Sequence, residues 1–319
     1  AGNVAGAREQ LVALLHEELC DSAAEVLQKI LREHAAESER LAFWEDQVSK
    51  GSKCAPIYYG IELADAGRYE DAAALLDSLK QYGSLTPELE LRKRIILLAA
   101  GREGQQTPLH VYVKEQHPDL ALFAAQLLMQ SAKTLSEQQH TAAAETVARE
   151  AVALAPEIEA TWLALGQVLE SQGRNTDALQ IYNESFATAS PTEQTALRID
   201  ALYDAAGDPN AKKNQWQAIA EMYPDNAAAL MHWGMACEIV GDYEQAREAY
   251  MRLIDSGKGD TIARLRLGGV MACLGEIEAG IEMIKQAAAE ESLKQTADWV
   301  CQNAGRVLSE KGDLAAALL

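Results

Sequence analysis

Three columns of residues in the second half of the chain recur at a step of 34: Leu197, Met231 and Leu265; Arg198, His232 and Arg266; Glu170, Asp204 and Glu238. Together they offer apolar anchors flanked by charges of both signs, which is chemistry for holding a ligand rather than for transforming one. Met235, one turn beyond Met231, extends the apolar stripe with a second adaptable thioether. The arginines and His232 suit acidic side chains or backbone carbonyls, and the carboxylates suit a basic segment. Each column also has a plainer reading. The methionines can be packing between neighbouring helices, the carboxylates a solvated face, and His232 a partly buried polar side chain.

Catalytic chemistry finds little support. His16-Glu17-Glu18 begins like a zinc-protease helix but lacks the second histidine, and reads as an exposed helical face. There is no Gly-rich loop after a strand and no G-x-S-x-G. Cys20, Cys54, Cys237, Cys273 and Cys301 fall within apolar helical patterns rather than at ligand spacings, so they are expected to be reduced packing residues. No metal and no cofactor is assigned, and the chain is expected not to be an enzyme.

Composition narrows the partners. With 48 acidic against 28 basic side chains the net charge is -20, and no basic block stands out that could displace counterions from a phosphate backbone, so nucleic acid is excluded as a partner. The longest apolar stretches, such as Ile95 to Ala100, fall far short of the roughly 20 residues of a membrane span. The chain is expected to be soluble, without direct membrane insertion. Nothing at Ala1–Gly6 resembles a secretory leader, which points to a cytoplasmic setting; a leader already removed, with a periplasmic location, leaves the same sequence. Helices rich in Ala, Glu and Gln have a bacterial cast.

The elements that must position the three columns are announced by glycines. Gly173, Gly207, Gly241 and Gly275 stand 34 residues apart, as do Gly67 and Gly101, and a repeat centred near Gln139 has lost its glycine. A second glycine precedes the first by seven residues at Gly60, Gly166, Gly234, Gly268 and Gly305. Each period reads as two helices joined by a turn, the turn glycine supplying a positive φ. The earlier glycine lies inside the first helix, at a cost of about 1 kcal/mol against Ala, so it needs a close helix neighbour. Small residues five positions after the turn, Ala72, Ala144, Ala178, Ala246, Gly280 and Ala317, answer that need.

With these motifs the chain resembles the tetratricopeptide repeat family. Trp162, Leu165-Gly166, Ala178 and Tyr182 stand at family positions in one unit, Leu230, Trp233-Gly234, Ala246 and Tyr250 in another, and Tyr59-Gly60, Ala72 and Leu76 in a third. Pro118, Pro156 and Pro224 occupy the closing position. Two units depart from the pattern. One has Arg94 in place of Gly and Pro108 in its second helix, which should therefore be short; the other has Asp200 in place of Gly and Pro209 after its turn.

The resemblance implies an all-α, right-handed superhelical solenoid of antiparallel helix pairs, with the first helix of each pair lining a concave groove. Residues 1–52 are read as a divergent N-terminal helical hairpin plus an extra helix, and 53–319 as about seven complete units and a truncated eighth. The break after Leu319 leaves the eighth second helix unfinished, so the natural chain is expected to continue. A family clamp for C-terminal carboxylates uses Lys and Asn at groove positions filled here by Ile57, Ile61 and Leu91, so that clamp is missing.

Two functions of different kind follow. The first is a non-enzymatic adaptor or scaffold that binds a peptide or partner helix, with or without a basic segment, in the groove through Leu197, Met231, Met235 and Leu265, with Arg198 and Arg266 reading charge. On that reading both arginines can be reversed to Glu with the fold intact. Arg92, Gln130 and Asn303 continue the same polar edge. The second is a self-associating homo-oligomeric unit of a secretion, pilus or envelope assembly, or the recruiting arm of an enzyme whose catalytic domain lies beyond Leu319.

Overall fold

The computed structural model describes residues 9–15, 20–77, 85–102, 107–189, 191–288, 291–310 and 312. Among them every regular element is helical. The chain divides into two compact units, Ala1–Ala178 and Leu179–Leu319. His16-Glu17-Glu18, the side chain of Cys20, Ala317 and the unfinished last helix lie outside the described residues.

The first unit holds α1 (Cys20–His34), α2 (Glu37–Ser49), α3 (Ala55–Asp65), α4 (Tyr69–Asp77), α5 (Pro87–Ala99), α6 (Leu109–Gln116), α7 (Ala121–Glu137), α8 (Thr141–Leu154) and α9 (Glu159–Ser171); α10 (Asn175–Ser185) straddles the division. The second holds α11 (Glu193–Ala206), α12 (Pro209–Met222), α13 (Ala227–Val240), α14 (Tyr243–Asp255), α15 (Thr261–Cys273), α16 (Ile277–Ala287) and α17 (Lys294–Glu310). Within the units α3 packs on α4, α7 on α8, α11 on α12, α13 on α14 and α15 on α16, the hairpins that the glycine spacing announces.

Local chemistry starts and stops these helices where the sequence places its signals. Asp208, Asn226, Asp242 and Asp260 each precede a helix and accept the backbone N–H three residues on, which is the N-cap geometry. Gly207 closes α11 and Gly241 closes α13 in the left-handed region. In the repeat without a turn glycine, Gln139 takes the same conformation at φ 65°, so the turn survives the loss of its preferred residue. Pro108 lies at the N-cap of the eight-residue α6 rather than within it, and Pro209 sits at the tolerated first position of α12.

The glycine inside the first helix earns its place through the residue 16 positions later. A Cβ at Gly60 would meet Leu76 at 3.2 Å, one at Gly234 the Tyr250 ring at 2.5 Å, and one at Gly268 the Ile284 side chain at 2.9 Å. Ala72, Ala144, Ala178 and Ala246 are fully buried, as small contact residues must be. In the first unit the core opens with Trp44 stacked on Tyr58 at 5.3 Å. Cys54, Cys237 and Cys273 are buried thiols outside any disulfide, with burial pushing the Cys237 thiol up to about 12. Cys301 departs from the packing expectation: it is exposed on α17.

Candidate functional site

In the second unit the polar residues converge on Asp200. Its carboxylate accepts the Trp216 indole N–H at 2.7 Å, meets His232 Nδ1 at 2.8 Å and lies 3.3 Å from Lys212 Nζ. The other imidazole nitrogen, Nε2, is 3.2 Å from Glu193 Oε2 in the first turn of α11. Trp216 lies 16 residues after Asp200, in the register where other repeats set Gly against its partner. Here the glycine is replaced by an acceptor, and the contact becomes a hydrogen bond.

His232 is fully buried, not partly buried as its sequence context suggests, and it bridges two carboxylates. Burial works against the imidazolium, but the hydrogen bonds to Asp200 and Glu193 outweigh it and hold the pKa above the usual value. For Asp200 burial opposes ionisation, and His232, Trp216 and Lys212 overcome it, holding the carboxyl low; Glu193 is held low chiefly by the His232 hydrogen bond.

This arrangement sets a pH dependence. The raised imidazole contributes stability that is fully present below about 6.5 and is lost as pH rises through its elevated folded value. The lowered carboxyls contribute stability that is present above about 4.5 and is lost as pH falls. The stability difference between wild type and His232→Gln is therefore expected to be greatest between these limits and to shrink on the alkaline side. Paired thermal melts across pH check this; a difference that grows above neutrality is the contrary result.

Beside Glu193 opens a cleft of about 740 Å³. Phe186, Met222, Tyr223, Met231 and Leu253 give it apolar surface, and Glu193, Asp225 and Asp260 supply carboxylates along the wall. Met222 is 68% exposed, too large and too bare to be explained as core. Lys258, the cation of the lining, donates to the Asp225 carbonyl at 2.6 Å.

Met231 alone among the anchors read from the sequence enters this cleft. Leu197 is 53% exposed on α11, and Met235 is half-buried. Leu265 is corrected: it is fully buried against Ile284, Leu293, Ala297 and Val300, because α16 and α17 cover the face that a helical pattern leaves open. Arg266 is corrected as a freely reversible charge reader. Its Nη1 donates to Glu238 at 3.1 Å and its guanidinium lies over Trp299, so reversal to Glu would set two carboxylates together.

The acidic column does not form one solvated face. Glu238 is nearly buried, bonded to the Tyr250 hydroxyl and Arg266, and burial raises its pKa. Asp204 is exposed and pairs with Lys212. Glu170 is half-buried in the first unit, and Arg198 is half-buried on α11. The sequence reading missed Glu193, Lys212, Trp216, Met222 and Phe186. Asp200 in a glycine position was the one available signal.

Among the described residues no group of three or more His, Cys, Asp or Glu could hold a metal ion, and no helix is long and apolar enough to cross a membrane.

Tandem hairpins with a 34-residue step, left-handed turn closures and glycine-mediated helix contacts define a helical-repeat protein. A tetratricopeptide repeat model matches residues 129–193 and 202–261, so these segments carry tetratricopeptide repeats. As an array of such repeats it is, in general terms, a protein-interaction scaffold. No curated protein matches the chain.

Among solved structures it is similar to a chain of the APC/C hetero-tetramer Cut9–Hcn1, at 12% identity and a TM-score of 0.36, covering 99% of this chain and 68% of that one. The human IFIT1 dimer with PPP-AAAA follows at 13% identity and 0.35, covering 98% and 78%. A Rap protein complexed with competence and sporulation factor stands at 14% and 0.32, covering 100% and 95%.

Proposed function

We propose that the chain is a non-enzymatic scaffold whose second unit binds an extended protein segment bearing an apolar residue and, close by, a basic one. The observation that carries this reading is the cleft beside Glu193, where the exposed Met222 and the half-buried Met231 adjoin the carboxylates of Asp225 and Asp260. Thioethers suit apolar side chains of varied shape, and the carboxylates favour a Lys or Arg neighbour. The net charge of -20 adds a long-range bias towards basic segments that salt weakens. Leu197, Arg198 and Met235 can extend the contact along α11 and α13.

The test is fluorescence anisotropy with labelled peptides of the pattern Leu-x-x-Lys and Leu-x-x-Glu at low and moderate salt. The Lys series is expected to bind more tightly, and Met231→Glu to weaken it at least tenfold, about 1.4 kcal/mol, without loss of helicity. Equal affinity for both series, or an undiminished Met231→Glu variant, removes the reading.

A further inference from the structure

The unit spanning residues 1–178 contains a pocket of its own, about 160 Å³, enclosed by the first helices α3, α5 and α7 together with Tyr69 of α4. Ile61, Ile95 and Leu127 line it with aliphatic surface, and Asp65, Arg92 and Gln130 bring polar atoms to it. Tyr69, Ser131 and Thr134 put hydroxyls on the same wall, and the Thr134 hydroxyl donates to the Gln130 carbonyl at 3.1 Å. The volume equals that of about five liquid waters, suited to a small group and too small for a nucleotide.

Charge is unevenly settled around it. Arg40 Nε donates to Glu62 at 2.8 Å and Arg32 Nε donates to the same buried carboxylate at 3.1 Å, while the other end of Arg32 pairs with Asp65. Glu62 is fully buried and is further bonded by Gln28. Arg92 is left over. Among the described residues no carboxylate forms an ion pair with it, and its guanidinium rests over the Phe123 ring at 5.1 Å. Three arginines against two carboxylates leave one positive charge in the wall of a pocket, within a protein of net charge -20. Burial, with Arg32 nearby, lowers the pKa of Arg92, and the attraction of Asp65 and Glu62 does not fully offset it.

We infer that this pocket binds a carboxylate on a short aliphatic stem, the head group meeting Arg92 and Gln130 and the stem lying along Ile61, Ile95 and Leu127. A guanidinium offers a carboxylate two parallel donors, and the half-enclosed setting strengthens the pairing over its value in water. The polar contacts are not those of the carboxylate clamp of some tetratricopeptide proteins: aliphatic Ile57, Ile61 and Leu91 stand at the clamp positions, and of these Ile61 alone lines the pocket, with apolar surface. It is also independent of the cleft in the second unit, and the failure of either leaves the other standing. The acid can be a free metabolite or the side chain of a partner's glutamate; both present the same chemistry.

The experiment is a two-dimensional NMR titration of the full chain with butanoate and with acetyl-Ala-Glu-Ala-amide, beside their neutral counterparts butanamide and acetyl-Ala-Gln-Ala-amide. At least one acid is expected to give saturable shifts at the Arg92 and Gln130 side chains, with its amide at least tenfold weaker. Arg92→Met is expected to weaken the acid at least tenfold, while Arg306→Met, on α17, leaves it unchanged. Saturation by butanoate alone identifies a free acid, by the peptide alone a partner's side chain, and by both a pocket open to either; each supports the inference. If neither acid saturates, if the amides bind as well, or if a folded Arg92→Met variant binds undiminished, the inference falls. Should Arg92→Met not fold, the acid–amide comparison on wild type decides.

Discussion

Asp200→Ala is expected to destabilise the second unit by about 3–5 kcal/mol, the range found when one partner of a buried ion pair is removed. The reason lies in what the carboxylate holds. His232 is fully buried and Lys212 nearly so, and both lean on Asp200, as does the Trp216 indole N–H. Without it the His232 imidazole, the Lys212 ammonium and the Trp216 indole N–H lose their shared acceptor in a largely buried space. Glu193 and Asp204 remain, one on the far imidazole nitrogen and one on Lys212, but both are more than half exposed and cannot reach the indole. Asp200→Asn, which keeps an acceptor for Trp216 and loses only the charge, should fall between wild type and Ala. Asp204→Ala removes an exposed partner and should cost less than about 1 kcal/mol. Urea denaturation followed by circular dichroism measures all three, and an Asp200→Ala variant no weaker than Asp204→Ala contradicts the assignment. Neighbour coupling in a repeat array predicts that amide exchange accelerates first in α11, α12 and α13.

The repeat frame was legible because turn chemistry is local. A positive φ is needed at one place in each hairpin, glycine meets that need most cheaply, and its spacing therefore exposes the period even where Gln139 has taken over the role. A short α6 was legible from Pro108, which stands at its N-cap. The site was less legible because its members meet only in three dimensions. Asp200 gains its importance from Lys212, Trp216 and His232, each on a different turn or helix, and no single helical pattern shows them together. Leu265 failed as an exposed anchor since periodicity marks an apolar face without saying which neighbour covers it, and α17 does. Arg266 is bound to a glutamate 28 residues earlier, an ion pair that spacing by 34 does not suggest.

Gly280→Ala should test the helix-contact logic most severely, with an expected loss of about 2 kcal/mol. A Cβ there would lie 2.5 Å from the Gly268 carbonyl oxygen and 2.9 Å from the Ala272 nitrogen, both backbone atoms of α15. No rotamer change relieves such a contact, so α15 and α16 must part and disturb Ile284 and Leu265 behind them. Strain of about 3 kcal/mol, the upper end for overpacking, is offset by about 1 kcal/mol of gained helix propensity. Gly60→Ala is the matched control. Its three nearest contacts would all be side-chain atoms of Leu76, Cδ2 and Cγ at 3.2 Å and Cδ1 at 3.5 Å, with no backbone atom among them, so a shift of a few tenths of an ångström relieves it. There the propensity gain should nearly cancel the strain, leaving stability within about 1 kcal/mol of wild type. Opposite rank order of the two variants in chemical denaturation would mean that the small residues of the second helices are not what brings the hairpins into backbone contact.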